Sequence, residues 1–318
     1  MTATQRICPI ATLTLNPAVD ATYEISRLLA DQKTHARAVR YDPGGNGINV
    51  SRALKTLDIP AKSFCVTAGE IGQLFQRLVR GAIDSLDSEH IRGETRINVA
   101  LQERDTAAQY EVSAIGPTLS AHHLEHLSAR MLAASANGIA VLTGSVPPGI
   151  DDTIYARLTE RVREQGGRPV VDTYGALLRQ AIAARPFLIK PNRYELEQFC
   201  GEPLSTREAV AAQARRLQHG GIDYLCVSLG RDGALLCAPD NTYFAQAPSV
   251  MINSTVGAGD SMVAGLVCAF ARGDTPAQAL RLGIACGTGT TQHPGTELFT
   301  MQDVQTLLPH IEVSALDI

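Results

Sequence analysis

The stretch STVGAGDS (Ser254–Ser261) runs straight into the apolar segment MVAGLVCAF. Gly257 and Gly259 allow the main chain to turn sharply and approach a ligand closely. The amides of Gly257, Ala258 and Gly259 can then converge on an anion at the positive end of the helix that the apolar segment predicts. Asp260 stands at that helix start, a position that favours its ionised form. There it can orient an acceptor hydroxyl and take its proton while the amides neutralise a group in transfer, which is what phosphoryl transfer requires. The same residues also suit a capped, tightly packed helix start, and the local pattern leaves both readings open.

A second glycine cluster, PGGNGINVSRAL (residues 43–54), also leads into an apolar helix. It lacks the third glycine of a dinucleotide fingerprint, and the chain has no G-x-x-x-x-G-K-[ST] phosphate loop. Gly44 and Gly45 can bring backbone amides to a sugar, and Asn49 can donate to and accept from hydroxyls; a simple tight turn fits equally well. His122 and His126 share a helix face but have no further ligand nearby, and Leu124, Leu127 and Met131 form the buried stripe of that helix. Without H-E-x-x-H, G-x-S-x-G or a cysteine–histidine cluster, hydrolase and zinc chemistry have no support.

These residues need a scaffold, and 318 residues with 45% hydrophobic and 19% charged composition can build a large α/β core. Short β-branched runs at 11–15, 61–68, 138–144, 168–173, 186–191 and 224–230 alternate with helical periods, predicting a mostly parallel sheet flanked by helices. Ser205 with Glu208 reads as a capping box, and Asp274-Thr275-Pro276 opens another helix. Residues 17–42 and 92–113 alternate polar and apolar at strand period, predicting a small antiparallel β lid over the carboxyl edge of the main sheet. No linker composition interrupts the chain, so residues 1–318 are expected to form one domain with the lid inserted in it. A net charge of −4 gives no general attraction to nucleic acid or anionic membrane, so an anionic ligand must be held locally. Seven scattered cysteines without a C-x-x-C pair, and no apolar run of about 18 residues, lead to the expectation of a cytoplasmic protein.

Taken together, GGNGINVSRA and STVGAGDSMVAG resemble the two signatures of the PfkB (ribokinase-like) carbohydrate kinases, over essentially the whole chain. TLTLNPAVD, TRINV, TGSVPPG, KPNRYELE and VSLGRDGAL are similar to the branch holding the phosphofructokinases and tagatose-6-phosphate kinase. The resemblance implies a ribokinase-like fold, with Asp260 as base and Gly257, Ala258 and Gly259 as anion hole. It implies that Asp20, Gly44, Gly45, Asn49 and Ser145 contact the sugar, and that Lys33 and Arg96 pair with the phosphate already on it. ATP would lie on Lys190, Asn192, Ser228, Gly230, Gly233 and Thr255, with Mg2+ at Asn192 and Glu195 through water. Asp172 is expected to support the metal or phosphate region. The favoured substrate is fructose 6-phosphate, with fructose 1-phosphate or tagatose 6-phosphate as alternatives. A non-catalytic sugar-phosphate or nucleotide sensor is the reading of a different class. His35, Ala18 and Asn46 depart from residues usual in the branch, with Arg37 a possible substitute for the arginine that His35 replaces. A homodimer through the exposed lid edge is also implied.

Overall fold

Apolar residues along the central strands face alternately to two helical layers, as both-faces-covered parallel strands require. Ile10, Ile139, Val141, Val170 and Leu188 pack into one core; Ala11, Leu13, Ala140, Leu142, Val171 and Ile189 pack into the other. The computed structural model describes residues 7–106 and 108–316; residues 1–6, 107 and 317–318 of the expected 1–318 domain and 92–113 lid lie outside the described residues.

The first half of the chain forms β1 (Ile10–Thr14), β2 (Ala18–Ile25), β3 (Ala38–Gly44), α1 (Asn46–Thr56), β4 (Lys62–Ala68), α2 (Gly69–Val79), β5 (Ser85–Ile91), β6 (Arg96–Glu103), β7 (Gln109–Val112), α3 (Ala121–Ala134) and β8 (Ile139–Thr143). There follow α4 (Ile154–Glu164), β9 (Arg168–Asp172), α5 (Gly175–Ala183), β10 (Leu188–Ile189), α6 (Arg193–Cys200), α7 (Arg207–Gln218), β11 (Tyr224–Ser228), β12 (Ala234–Cys237), β13 (Thr242–Ala245), α8 (Ala258–Arg272), α9 (Pro276–Thr291), α10 (Met301–Leu307) and β14 (Val313–Leu316).

The main sheet has ten strands in the order β14-β13-β12-β11-β10-β9-β8-β1-β4-β5. It is parallel from β11 to β5 and antiparallel from β11 through β14. Helices α1, α8 and α9 cover one face through Val50, Leu54, Val263, Leu266, Val267, Leu280 and Ile284. Helices α3, α4, α5 and α7 cover the other through Leu127, Met131, Tyr155, Leu158, Leu178 and Val210. α8 and α9 approach closely, since a Cβ on Gly265 would stand 2.8 Å from Gly283 Cα.

The four-stranded second sheet has the order β3-β2-β6-β7 and forms from the two expected insertions. Its outer pairings are antiparallel, but the central pair β2–β6 is parallel, Ala18 standing opposite Arg96. The reason is connectivity: β2 follows β1 and β6 follows β5, and β1 and β5 run in the same direction in the main sheet. One local expectation is corrected. The α7 cap is Thr206, whose side chain accepts from Ala209 N, so the box expected from Ser205 and Glu208 does not form; the helix starts one residue later, moving Glu208 out of the third helical position. At α9 the expected start holds, with Thr275 and Gln278 capping reciprocally and Pro276 in the first turn.

Candidate active site

The carboxyl ends of β8, β9, β10 and β11 open into a crevice, the position where open α/β sheets bind ligands. A pocket of about 200 Å3 lies there, lined by Asn46, Gly144, Asp172, Thr173, Tyr174, Lys190, Asn192, Glu195, Gly257, Gly259 and Asp260. Gly257 caps α8 in the left-handed region at φ 77, a conformation that lets the chain turn sharply into the helix. A side chain at this position would be strained, and its Cβ would stand 2.9 Å from Leu298 Cδ2.

Asp260 lies in the first turn of α8 and is only 5% exposed. Its two carboxylate oxygens are held separately: Asn46 Nδ2 donates to Oδ1 at 2.9 Å and Asn49 Nδ2 donates to Oδ2 at 2.9 Å. Burial, reinforced by the Asp172 carboxylate, pushes the Asp260 carboxyl up to about 7, against the two amides and Lys190. A group titrating there can accept a proton at neutral pH and release it again. Lys190, equally buried, stands 3.3 Å from Asp172 Oδ1. Burial pulls its ammonium down, but the Asp172 and Glu195 charges prevail and hold it above its ordinary value. It also closes on the glycine turn, where a Cβ on Gly259 would lie 3.3 Å from its Nζ.

Asn192 and Glu195 form a reciprocal cap on α6: Glu195 N donates to Asn192 Oδ1 and Asn192 N donates to Glu195 Oε2, each at 2.8 Å. Burial raises the Glu195 carboxyl, opposed by that backbone amide and by Lys190.

On the lid side, Asp20 on β2 accepts from Asn98 Nδ2 at 2.8 Å. Burial lifts its carboxyl, opposed by Asn98 and Arg96. It lies directly over Gly44, where any Cβ would collide with the carboxylate. Gly45 caps α1 at φ 112, turning Asn46 toward Asp260. Arg96 donates twice to Asn16 O, at 3.2 and 2.8 Å, and once to Ala114 O at 3.3 Å, so two of its five N–H groups stay uncommitted among the described residues. Asn16 Nδ2 in turn donates to Ser145 Oγ at 3.2 Å.

The structure therefore brings Asp260, Gly257, Gly259, Lys190, Asn192 and Glu195 to one pocket, with Ala258 in the same turn, and ties Asn49 to it directly. Asp20, Gly44, Gly45 and Arg96 lie on the lid strands and at the start of α1, and Ser145 follows the pocket residue Gly144 after β8. Ser228 pairs with Asn192 in an isolated parallel bridge beside the pocket. Gly230 and Thr255 are exposed and outside its lining, and Gly233 is buried where a Cβ would collide with the Ala245 carbonyl, a packing reason for glycine. Lys33, His35 and Arg37 lie exposed between β2 and β3 and make no contact with the pocket lining among the described residues. Sequence reasoning passed over Asn46 and Arg52 as working residues. The signal was present: Asn46, Asn49 and Arg52 recur every third residue and share one face of α1.

A family model described as pfkB family carbohydrate kinase matches residues 8–303. The chain belongs to that family. This carbohydrate kinase is 32% identical over 309 residues to a 1-phosphofructokinase of Bacillus subtilis, covering 96% of this chain and all of that protein. It is 33% identical over 299 residues to an ATP-dependent 6-phosphofructokinase isozyme 2 of Mycobacterium tuberculosis, covering 93% and 88%. The crystal structure of Escherichia coli phosphofructokinase-2 with substrates and products superposes with a TM-score of 0.91 at 30% identity, covering 95% and 99%. An Arabidopsis thaliana ribokinase matches with a TM-score of 0.79 at 20% identity, so the fold is ribokinase-like. The kinase is a sugar phosphotransferase, and among its described residues no helix is long and apolar enough to cross a membrane.

Proposed function

We propose that this kinase transfers the terminal phosphoryl group of ATP to a hydroxyl of a fructose phosphate, with Asp260 as the base. One observation carries the reading: a buried carboxylate, each oxygen held by a different carboxamide, faces the pocket from the first turn of the helix whose glycine start, Gly257 and Gly259, lines the same pocket. Asp260 aligns the acceptor oxygen and takes its proton, while the amides of Gly257, Ala258 and Gly259 and the Lys190 ammonium offset charge on the group in flight. Arg96, with its uncommitted N–H groups, binds the substrate phosphate from the lid, where Lys33 joins it when the exposed segment closes. Closure excludes water as a competing acceptor.

Asp172, Glu195 and Asp260 outnumber Lys190 around a pocket meant for phosphates, so a cation fits the charge of the donor set. Among the described residues no three His, Cys, Asp or Glu side chains form a ready cage, which suits Mg2+ held through water by Glu195 and Asn192 together with phosphate oxygens. When bound, the ion would neutralise the nucleotide's charge.

Fructose 6-phosphate is the substrate we favour. The relatives named 1-phosphofructokinase, similar over nearly the full chain, support fructose 1-phosphate as a second reading. ADP release measured in parallel with fructose 6-phosphate, fructose 1-phosphate and tagatose 6-phosphate tests both: the highest kcat/KM names the substrate, and no stimulation by any of the three overturns the proposal. Cytoplasmic placement accords with seven unpaired cysteines. A homodimer through the lid accords with Val39, Tyr41, Tyr110 and Val112 standing exposed on its outer strands. That lid and core form one unit is supported by Arg40 and Asp42 of β3 reaching Glu297, Pro294 and Thr296 beyond α9.

A further inference from the structure

Asn49 holds one oxygen of Asp260, and it can do so in only one of the two orientations its carboxamide could adopt. The two ends of a carboxamide are similar in shape and opposite in hydrogen-bonding character. What selects between them lies one helical turn further along α1. Arg52 Nη1 donates to Asn49 Oδ1 at 3.2 Å, while Asn49 Nδ2 donates to Asp260 Oδ2 at 2.9 Å. A guanidinium has donors only and a carboxylate has acceptors only. Turning the amide over would set donor against donor at Arg52 and acceptor against acceptor at Asp260, so both contacts fail together.

Asn46, which holds the other oxygen, is exposed at the pocket, and among the described residues no donor meets its own oxygen. Of the two amides, Asn49 is the fixed one. Arg52 is itself held. Its Nη1 also donates to Thr296 O at 3.4 Å, and the Thr296 hydroxyl donates to Asp42 Oδ2 at 2.7 Å, the same oxygen that receives Arg40 Nε at 2.7 Å. The charged groups facing Arg52 are Asp42, Asp20 and Asp260, which favour its cation, and Arg40, which opposes it. Those facing Asp260 are Asp172, which opposes its ionised form, and Lys190 and Arg52 itself, which favour it.

From this geometry we infer that Arg52 is a positioning residue for the transfer step: it locks the Asn49 carboxamide, and through it the plane of the Asp260 carboxylate, in the pose that presents the free side of the carboxylate to the acceptor hydroxyl. The inference rests on the reading of Asp260 as the base. It makes Arg52 a partner in catalysis that touches no substrate, connected by Thr296 and Asp42 to strand β3 of the lid.

The test uses full-length Arg52→Met, which keeps an unbranched stem of similar bulk along the helix and removes every donor, assayed with ATP and the best phosphosugar. The expected result is a fall in kcat of about tenfold or more, with KM for ATP changed by less than about twofold. The acidic limb of the kcat/KM profile should move to higher pH, because the Arg52 charge and the Asn49 hydrogen bond both favour ionised Asp260 and both are weakened. The double variant Asn49→Ala/Arg52→Met should fall no further than Asn49→Ala alone, since Arg52 acts through Asn49. Where Arg52→Met does not accumulate as folded protein, the same profile and cycle are read from Arg52→Lys, whose shorter reach and single ammonium weaken the same contact. An unshifted acidic limb, or a double variant that falls by the product of the two singles, overturns the inference. Asp260→Asn assayed alongside separates the two claims. If it is inactive while the Arg52 variant behaves as the parent, only the role of Arg52 fails; if it is active, the base assignment fails.

Discussion

Replacing Asp260 by Asn separates what the buried carboxylate does for the reaction from what it costs the fold. Its environment pushes it from 3.8 to about 7. A carboxyl raised in this way is harder to ionise folded than unfolded, so it leaves stability untouched below about pH 4. Stability is then lost as pH rises toward 7, and the full cost remains above that. At about 1.4 kcal/mol per pH unit, the window corresponds to about 4 kcal/mol. The substitution removes the charge, but the new amide group meets one of the two donors that now serve the carboxylate, at about 1–2 kcal/mol. Asn46 has the freedom to rotate and absorb that conflict, whereas Asn49 is pinned by Arg52. Asp260→Asn is therefore expected to be more stable than the parent by about 2–3 kcal/mol at pH 8, roughly 4 °C in Tm for a chain of this length, with the gain vanishing at about pH 5 and turning into a loss of about 1–2 kcal/mol below about pH 4, where only the donor conflict remains. Its kcat should fall by about 100-fold to 10,000-fold. Thermal melts from pH 4.5 to 8 and ADP release at pH 8 measure the two halves. A Tm difference that does not widen with pH refutes the burial argument, and a kcat within tenfold of the parent refutes the base.

Arg96→Ala is expected to raise KM for the phosphosugar at least about tenfold and leave KM for ATP unchanged, as removal of a charge-assisted phosphate contact should; equal KM values in initial-rate assays would return the lid arginine to a purely structural role on Asn16 and Ala114. Gly257→Ala forces a side chain into the left-handed region beside Leu298, costing about 1 kcal/mol of stability but, by shifting the amides of the turn, about 100-fold in kcat. Gly265→Ala gives the opposite pattern: its methyl meets the Gly283 backbone between α8 and α9, so denaturant melts should show a loss of about 1–3 kcal/mol while the folded enzyme turns over as before.

The fold was legible where strands are covered on both faces. β1, β4, β8, β9, β10 and β11 each announced themselves through a buried apolar or β-branched centre, because the middle of such a strand is covered on both faces. β5 was missed because its sequence, SLDSEHI, is that of a sheet edge, with Lys62 and Arg130 answering Asp87 across it. β12, β13 and β14 are four residues each, too short for periodicity to speak. The parallel β2–β6 pairing could not be read from either segment, since direction was set by the main-sheet strands that feed them. In the site, the glycine turns and Asp260 were visible because main-chain demands leave local traces. The Lys190–Asp172 pair joins the ends of two neighbouring strands, and only the strand order makes them partners. Arg52 was hidden for a different reason: an arginine in the second turn of a helix looks like any solvated arginine until the carboxylates of Asp20, Asp42 and Asp260 are placed around it.

A base for this reaction must satisfy two demands that pull against each other. To accept a proton at neutral pH it must be hard to ionise, which burial and the Asp172 carboxylate ensure; to aim a hydroxyl it must be held still, which takes hydrogen bonds that make it easier to ionise. Neutral amides resolve the conflict better than a cation would. An ammonium in direct contact with the carboxylate would fix it and depress it together, whereas Asn46 and Asn49 fix it at both oxygens and leave it near neutrality. The cations are kept one residue away. Lys190 is neutralised by Asp172, and Arg52 is joined to Asp260 by hydrogen bonds only through Asn49. On this reasoning Asn46→Lys, which would bring an ammonium to Oδ1, should draw the acidic limb of kcat/KM below pH 7 and slow proton abstraction at its plateau. A limb that stays in place would mean that the charge at this position does not reach the carboxylate.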